Sequence, residues 1–341
     1  PLEPDHVDDM ELVVHVQPAD QVHLRALARV VNRHILQRQL TILDRHAQQG
    51  VRCGYGTTGL CCRHCAMGPC RLNSKDPYGK VGVCGATIDT IQARNFARMV
   101  ACGTAAHSSH GRSMLNLFRN VVNGQIKDYA IKNERKLEEV AQSIGIETDG
   151  REIKQIALDL CAELERIFNQ VDGEIPFARR VPPKTLETWR KLDIVPRGAM
   201  LEVMELMQRT HAGMDQDYEN LTRQISRTAL VDGWGGSMVA TELSDILFGT
   251  PSPVATEVDM GCLKEDQVNI IVHGHKPAIA EMLVAASYDK ELLDYAKSKG
   301  AKGIQLAGIC CTANEILMRH GVPIAGNFLQ QELALSYQGY K

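Results

Sequence analysis

The sequence predicts an α + α/β chain, with a helical domain over residues 1–231 followed by a parallel α/β domain over 232–341. Three observations predict it. Up to about residue 230, apolar residues recur at three- and four-residue spacing, the signature of helices with one buried face. After "DGWGGS" (232–237) the period changes, and short β-branched apolar runs alternate with helical ones. At 341 residues and 44% hydrophobic, the chain is also large enough to bury two cores.

The elements follow in order. Over residues 20–50, Leu24, Leu27, Val30, Val31, Ile35, Leu40 and Ile42 fall at helical spacing and predict one or two helices. Helical patterns return over 86–122, 125–170 and 198–230, separated by the turn-rich "ETDG" and "VPPK". Beyond 232, "VNIIV" (268–272) reads as a buried strand, "AIAEMLVAAS" as a helix, "GIQLAGI" (303–309) as a second strand, "ANEILMRHG" as its helix, and "VPIAG" (322–326) as a third strand. Strand and helix in alternation imply parallel, Rossmann-like β-α-β units. Ligands of such sheets bind beyond the carboxyl ends of the strands, where His273, His275, Cys310 and Cys311 stand. Three strands are few for a sheet of this kind, so the domain is expected to be truncated at its C-terminal side.

The formal charge of −3, without a lysine or arginine block, argues against nucleic acid and anionic membranes as partners. No apolar run approaches membrane-spanning length and the first residues do not resemble a signal peptide, so a cytoplasmic protein is expected.

Six of the eleven cysteines fall between residues 53 and 84. In a reducing compartment that concentration points to metal or redox chemistry rather than to disulfides. The stretch "CGYGTTGLCCRHCAMGPC" (53–70) also contains Gly54, Gly56 and Gly59 in a G-x-G-x-x-G pattern. A dinucleotide-binding turn must follow a buried strand and open a helix, and the polar, helical "LDRHAQQGVR" before it fails that condition. Cys62, Cys65, Cys70 and Cys84, spaced C-x2-C-x4-C-x13-C, are able to wrap a four-iron cluster. The same spacing also suits zinc. Cys53 and Cys61 are then left over. Two thiolates do not hold a cubane, but two from each subunit of a homodimer do, which favours iron-sulfur over zinc.

These cysteines, with "ARMVACGTAAHSSHGR" (97–112), "DGWGGSMVATELSDILFGTP" (232–251), "VNIIVHGHKP" (268–277) and "GICCTANEILMRHGVPIAGNFLQQELA" (308–334), resemble the anaerobic nickel-iron-sulfur carbon monoxide dehydrogenases, relatives of the hybrid-cluster proteins, over nearly the whole chain. The resemblance implies oxidation of carbon monoxide with water to carbon dioxide, two protons and two electrons at a nickel-iron-sulfur cluster. It implies a 4Fe-4S cluster on Cys62, Cys65, Cys70 and Cys84, and one shared across the dimer by Cys53 and Cys61. His275 and Cys310 match the ligands of a pendant iron in the nickel cluster, although "HGH" and "CC" leave open which member of each pair is the ligand. His107 matches the donor to the developing carboxylate, and Asp232 an acidic residue behind it. His110 continues the histidine series of that helix, where Ser113 and Asn116 depart from the family's ladder. The family is longer than this chain, and its further cysteines and a lysine complete the nickel cluster. Electrons are expected to pass to a ferredoxin-type acceptor, with acetyl-CoA synthase a candidate partner.

Cys102, Cys161 and Cys262 are expected to be buried small hydrophobes. Two other readings compete: an iron-sulfur electron-transfer module without a complete active metal, and a zinc-stabilised helical interaction protein.

Overall fold

A computed structural model of the chain describes residues 42–73, 75–76 and 78–327. They fall into two compact units: Gln48–Pro253 with His275–Glu281, and Val254–Gly274 with residues 42–47 and 282–327. Of the helix expected over 20–50, Ile42–Gln48 (α1) is helical, and the remainder lies outside the described residues.

The larger unit begins with the short turn Gly54–Thr57 (α2) and a small antiparallel pair, Cys61–Cys62 (β1) with Cys70–Arg71 (β2). The pairing sets Cys62 opposite Cys70. The 35-residue helix Ile88–Val122 (α3) follows, capped where the Thr87 hydroxyl accepts the Thr90 N–H. Among its buried positions, Ile91, Arg94, Ala97, Ala101, Thr104, Ser108, Gly111, Leu115, Phe118 and Val122 keep to three- and four-residue steps, so one stripe stays inside for more than eight turns.

Beyond it come Glu134–Ser143 (α4), Ile153–Asn169 (α5), Pro183–Lys191 (α6), Ala199–Arg209 (α7), Tyr218–Val231 (α8) and Met238–Phe248 (α9); α5, α7, α8 and α9 pack against α3, and α4 packs on α5 and α9. Their main core joins Phe118, Leu137, Leu160, Leu164, Ile167, Phe168, Val231, Leu243 and Ile246, all at most 2% exposed. The change of sequence period at 232 coincides with a π-helical turn, Asp232–Ser237, inside this unit. The unit runs on through Pro253 because α9 is apolar nearly all round and buries Val239, Ala240, Leu243, Ile246 and Leu247 in the helical core.

The smaller unit contains Val268–His273 (β3), Ile304–Ile309 (β4) and Ile324–Gly326 (β5), hydrogen-bonded in parallel in the order β3-β4-β5. Between β3 and β4 the chain forms the helices Pro277–Ser287 (α10) and Lys290–Ser298 (α11), and Cys310–His320 (α12) links β4 to β5. Continuous apolar runs become strands here because the sheet buries them: Cys262, Leu263, Ala307, Ile309 and Ala325 form one cluster. The architecture is therefore helix-rich with a small parallel sheet, as the sequence predicts. Among the described residues, no helix is long and apolar enough to cross a membrane.

Candidate metal centres

Cys62, Cys65, Cys70 and Cys84 line a single hollow, with His64, Gly82, Val83, Ala86, Ile91, Arg94 and Ala212 completing its wall. The hairpin supplies Cys62 and Cys70, the loop between its strands supplies Cys65, and the segment leading into α3 supplies Cys84. A tight backbone approach at Gly68 makes this possible. A Cβ there would lie 2.9 Å from the Cys62 carbonyl oxygen and 3.3 Å from the Cys70 nitrogen, so a side chain would pry the loop open.

The wall is built to receive anionic sulfur. The Val83 N–H donates to Cys70 Sγ at 3.4 Å, and Arg94 Nη1 donates to Cys84 Sγ at 3.6 Å. Burial raises the Cys84 thiol, yet the hydrogen bonds from Arg94, the Gly213 and Ala86 backbone and Gln216 outweigh it and bring the pKa down to about 7. Cys62 moves the other way, because burial outweighs the backbone hydrogen bond at His64 and the charge of Arg94. Arg94 is 1% exposed, and its Nε has no hydrogen-bond partner. Four soft thiol ligands beside a buried guanidinium fit an anionic, thiolate-bound cluster.

Arg94 was missed by the sequence reading. Its signal was a charged residue on the apolar stripe of α3, three residues after Ile91 and three before Ala97. Gln216, whose side-chain amide donates to the Cys84 carbonyl, had no such signal.

Cys53 and Cys61 stand apart from this hollow. Cys53 is exposed at the N-terminus of α2, its thiol held below the usual range by the backbone N–H groups of Gly56 and Tyr55. Cys61 is half-buried on β1. The G-x-G-x-x-G glycines surround only the single turn of α2, and a helix precedes them rather than a strand.

A second group of chemistry-bearing residues lies further along α3. His107 Nδ1 and Asp232 Oδ1 are 2.8 Å apart. A carboxylate only accepts, so Nδ1 carries the proton and Nε2 of a neutral ring is left as an acceptor. The π-helical turn places Asp232 there by backbone-to-backbone packing. A Cβ on Gly236 would lie 2.7 Å from the Ser108 nitrogen and 2.8 Å from the His107 carbonyl carbon, and one on Gly111 would lie 2.5 Å from the Gly236 oxygen.

The His275 ring meets His107 edge-on at 5.0 Å between centroids and lies 5.7 Å from His110. His110 is buried, its Nε2 has no hydrogen-bond partner, and burial, then the charges of His275, Lys276 and His107, press its pKa down to about 4. Ser113, where the sequence leaves the histidine series, accepts a 2.9 Å hydrogen bond from Lys276.

In the smaller unit, β3 ends at His273 paired with Ile309, and Cys310 follows at once. Cys310 has φ 71°, in the left-handed region that a residue with a Cβ rarely occupies. Such an outlier needs support from its surroundings, and the Thr312 N–H supplies part of it by bonding to the Gly274 carbonyl at 3.0 Å. Cys311 and His273 are exposed, whereas Cys310 and His275 are half-buried.

Of the three cysteines expected to be buried, Cys161 and Cys262 are, and burial raises their thiols to about 11 and about 12. Cys102 is not. It lies on the outer face of α3, because Ala101 and Thr104 take the inward positions of that turn.

Comparison with known proteins shows the family. Residues 60–338 match the model of the Prismane/CO dehydrogenase family. "Carbon monoxide dehydrogenase 1" of Methanosarcina mazei is 49% identical over 298 residues, covering 86% of this chain and 47% of that protein. A nickel-free structure of carbon monoxide dehydrogenase from Thermococcus sp. AM4 superposes with a TM-score of 0.86 at 44% identity, over 90% of this chain and 49% of that one. A structure of acetyl-CoA synthase/carbon monoxide dehydrogenase, described with NiZn[Fe4S4] and NiNi[Fe4S4] clusters, gives 0.84 at 39% identity, over 91% of this chain and 46% of that one. The chain thus spans about half the length of the relatives it matches.

Proposed function

The chain belongs to the Prismane/CO dehydrogenase family, and from that premise we propose that it serves an anaerobic carbon monoxide dehydrogenase, oxidising carbon monoxide with water to carbon dioxide, two protons and two electrons. The observation that carries the reading is the His107–Asp232 pair held beside the His275 ring. With Nδ1–H held by Asp232, a second proton on Nε2 makes His107 a donor next to a candidate metal ligand, which is what stabilisation of a developing carboxylate requires, and the Asp232 carboxylate is the counter-charge for that form.

On this reading Cys62, Cys65, Cys70 and Cys84 hold a 4Fe-4S cluster, and Cys53 and Cys61 share another with a second copy of the chain in a homodimer. The exposure of Cys53 supports the sharing. His275 and Cys310 hold the pendant iron of a nickel-iron-sulfur cluster, a proposal supported by their places just beyond the ends of adjacent parallel strands. Imidazole and thiolate suit iron and nickel, and such a cluster supplies Lewis-acid and redox chemistry when bound. Asp232 orients the His107 ring, and His107 presents Nε2–H to the developing carboxylate. His110, uncharged at neutral pH, offers a neighbouring nitrogen for a proton. Electrons leave through the iron-sulfur clusters to a ferredoxin-type acceptor, with acetyl-CoA synthase a further partner, as in the bifunctional relative.

The test uses the complete enzyme. His275→Ala is expected to abolish carbon monoxide oxidation with viologen dyes while keeping most of the brown absorbance, and His107→Ala to keep its metals and slow turnover about a hundredfold. Parental activity in His275→Ala would overturn the assignment and leave an electron-transfer module as the better reading.

A further inference from the structure

Arg94 is an unusual neighbour for a metal hollow. It is 1% exposed, and no carboxylate pairs with it among the described residues. The nearby Asp215 offers Arg94 only its backbone carbonyl, at 2.6 Å from Nη2, while its carboxylate bonds to Arg209 and Asn220. Nη1 points at Cys84 Sγ, and Nε is unsatisfied. A charge taken out of water without a counter-charge is strongly unfavourable. Arg94 lines the same hollow as the four cysteines, and its Nη1 donates to one of them, Cys84.

Arg94 also closes the hollow mechanically. Its bond to Asp215 runs alongside two others, from Thr90 Oγ1 to the Gln216 carbonyl and from the Gln216 amide to the Cys84 carbonyl. If holding this loop were its only task, a neutral donor would serve.

We propose that Arg94 is the buried counter-charge of the iron-sulfur cluster held by Cys62, Cys65, Cys70 and Cys84, and that it sets that cluster's reduction potential; the inference rests on the assignment of those cysteines made above. A four-iron cluster gains one negative charge on reduction. A fixed cation hydrogen-bonded to one of its thiolates stabilises the reduced form more than the oxidised one, and so raises the potential. Arg94 is here a positioning residue, acting through Cys84, with no contact to substrate.

The experiment compares Arg94→Met, Arg94→Gln and Arg94→Lys in the holoenzyme, by iron content and by redox titration of the reduced cluster's paramagnetic signal. Met and Gln are expected to lower the midpoint by the equivalent of about tenfold in the oxidised-to-reduced ratio at fixed poise, about 59 mV for a one-electron couple. Lys should recover most of the difference. If Met and Gln instead lose the cluster while Lys keeps it, the charge is needed for retention and the inference stands. An unchanged midpoint in Met or Gln overturns it, as does loss of the cluster from Lys along with the other two, since shape rather than charge would then be at work. Absence of iron from the parental protein would refute the assignment of the cysteines, a result separate from any of these.

Discussion

Gly236→Ala is a small change with a calculable effect. The added methyl would sit 2.7 Å from the Ser108 nitrogen, 2.8 Å from the His107 carbonyl carbon and 2.9 Å from the Ser108 Cα, all of them backbone atoms of α3. Ordinary carbon contacts begin near 3.5 Å, so the π-helical turn and α3 must part by about 0.7 Å. Overpacking of this kind costs about 1–3 kcal/mol, visible as a lower denaturant midpoint at unchanged slope. The same movement pulls Asp232 from His107, whose hydrogen bond has no slack at 2.8 Å. Misplacement approaching 1 Å costs up to about a hundredfold in rate, so carbon monoxide oxidation should fall at least about tenfold. Iron in the cysteine hollow should be retained, because its walls come from residues 62–94 and Ala212. Gly233→Ala is the control: a Cβ there meets nothing within 4 Å, and the substitution should be neutral or stabilise by about 0.4–1 kcal/mol. Parental stability and activity in Gly236→Ala would refute the claim that the glycine contact positions the acid-histidine pair.

Three further predictions concern the cysteines. Replacing any one of Cys62, Cys65, Cys70 or Cys84 by Ala should remove one four-iron cluster per chain, measured as iron per protein; unchanged iron in all four variants would contradict the assignment. Replacing Cys53 and Cys61 together should lower iron by about half a cluster per chain and weaken the dimer, as two-fold sharing requires. A parental chain that runs as a monomer in gentle sizing experiments with full iron would tell against sharing. Cys262, 1% exposed, has a folded pKa raised to about 12 against 9 for a free thiol, so its contribution is present below pH 9 and is lost as pH rises toward 12. At most about 4 kcal/mol is at stake. Cys262→Ala should flatten the alkaline limb of the stability profile, and an equally steep limb would show that other groups carry it.

The sequence made some of this legible and hid the rest for physical reasons. The cysteine hollow could be read because its four cysteines are close in sequence and the glycines between them let the chain bend back on itself. The three strands could be read because each is a short, continuous, largely apolar run set between helical patterns. The extent of the helical unit could not, because Asp232–Ser237 changes the local period without leaving the helical core. Cys102 was assigned from the habits of its residue type, whereas the phase of α3, with Ala101 and Thr104 inward, decides the matter. The His107–Asp232 bond joins residues 125 positions apart, and nothing local announces it.

The length of α3 has a consequence of its own. Arg94 and His107 lie on one uninterrupted helix, thirteen residues apart, which at about 1.5 Å per residue separates them by about 20 Å along the axis. The helix therefore works as a ruler and as a protractor: it sets how far the cysteine hollow lies from the histidine group and in which direction each faces. Adding or removing one residue between them would change the distance by only about 1.5 Å but would turn everything beyond it by about 100°. His107 would leave Asp232, Gly111 would leave Gly236, and the stripe from Ser108 to Val122 would face the wrong neighbours. Side chains on the outer face of this stretch are free to vary, but its residue count is not.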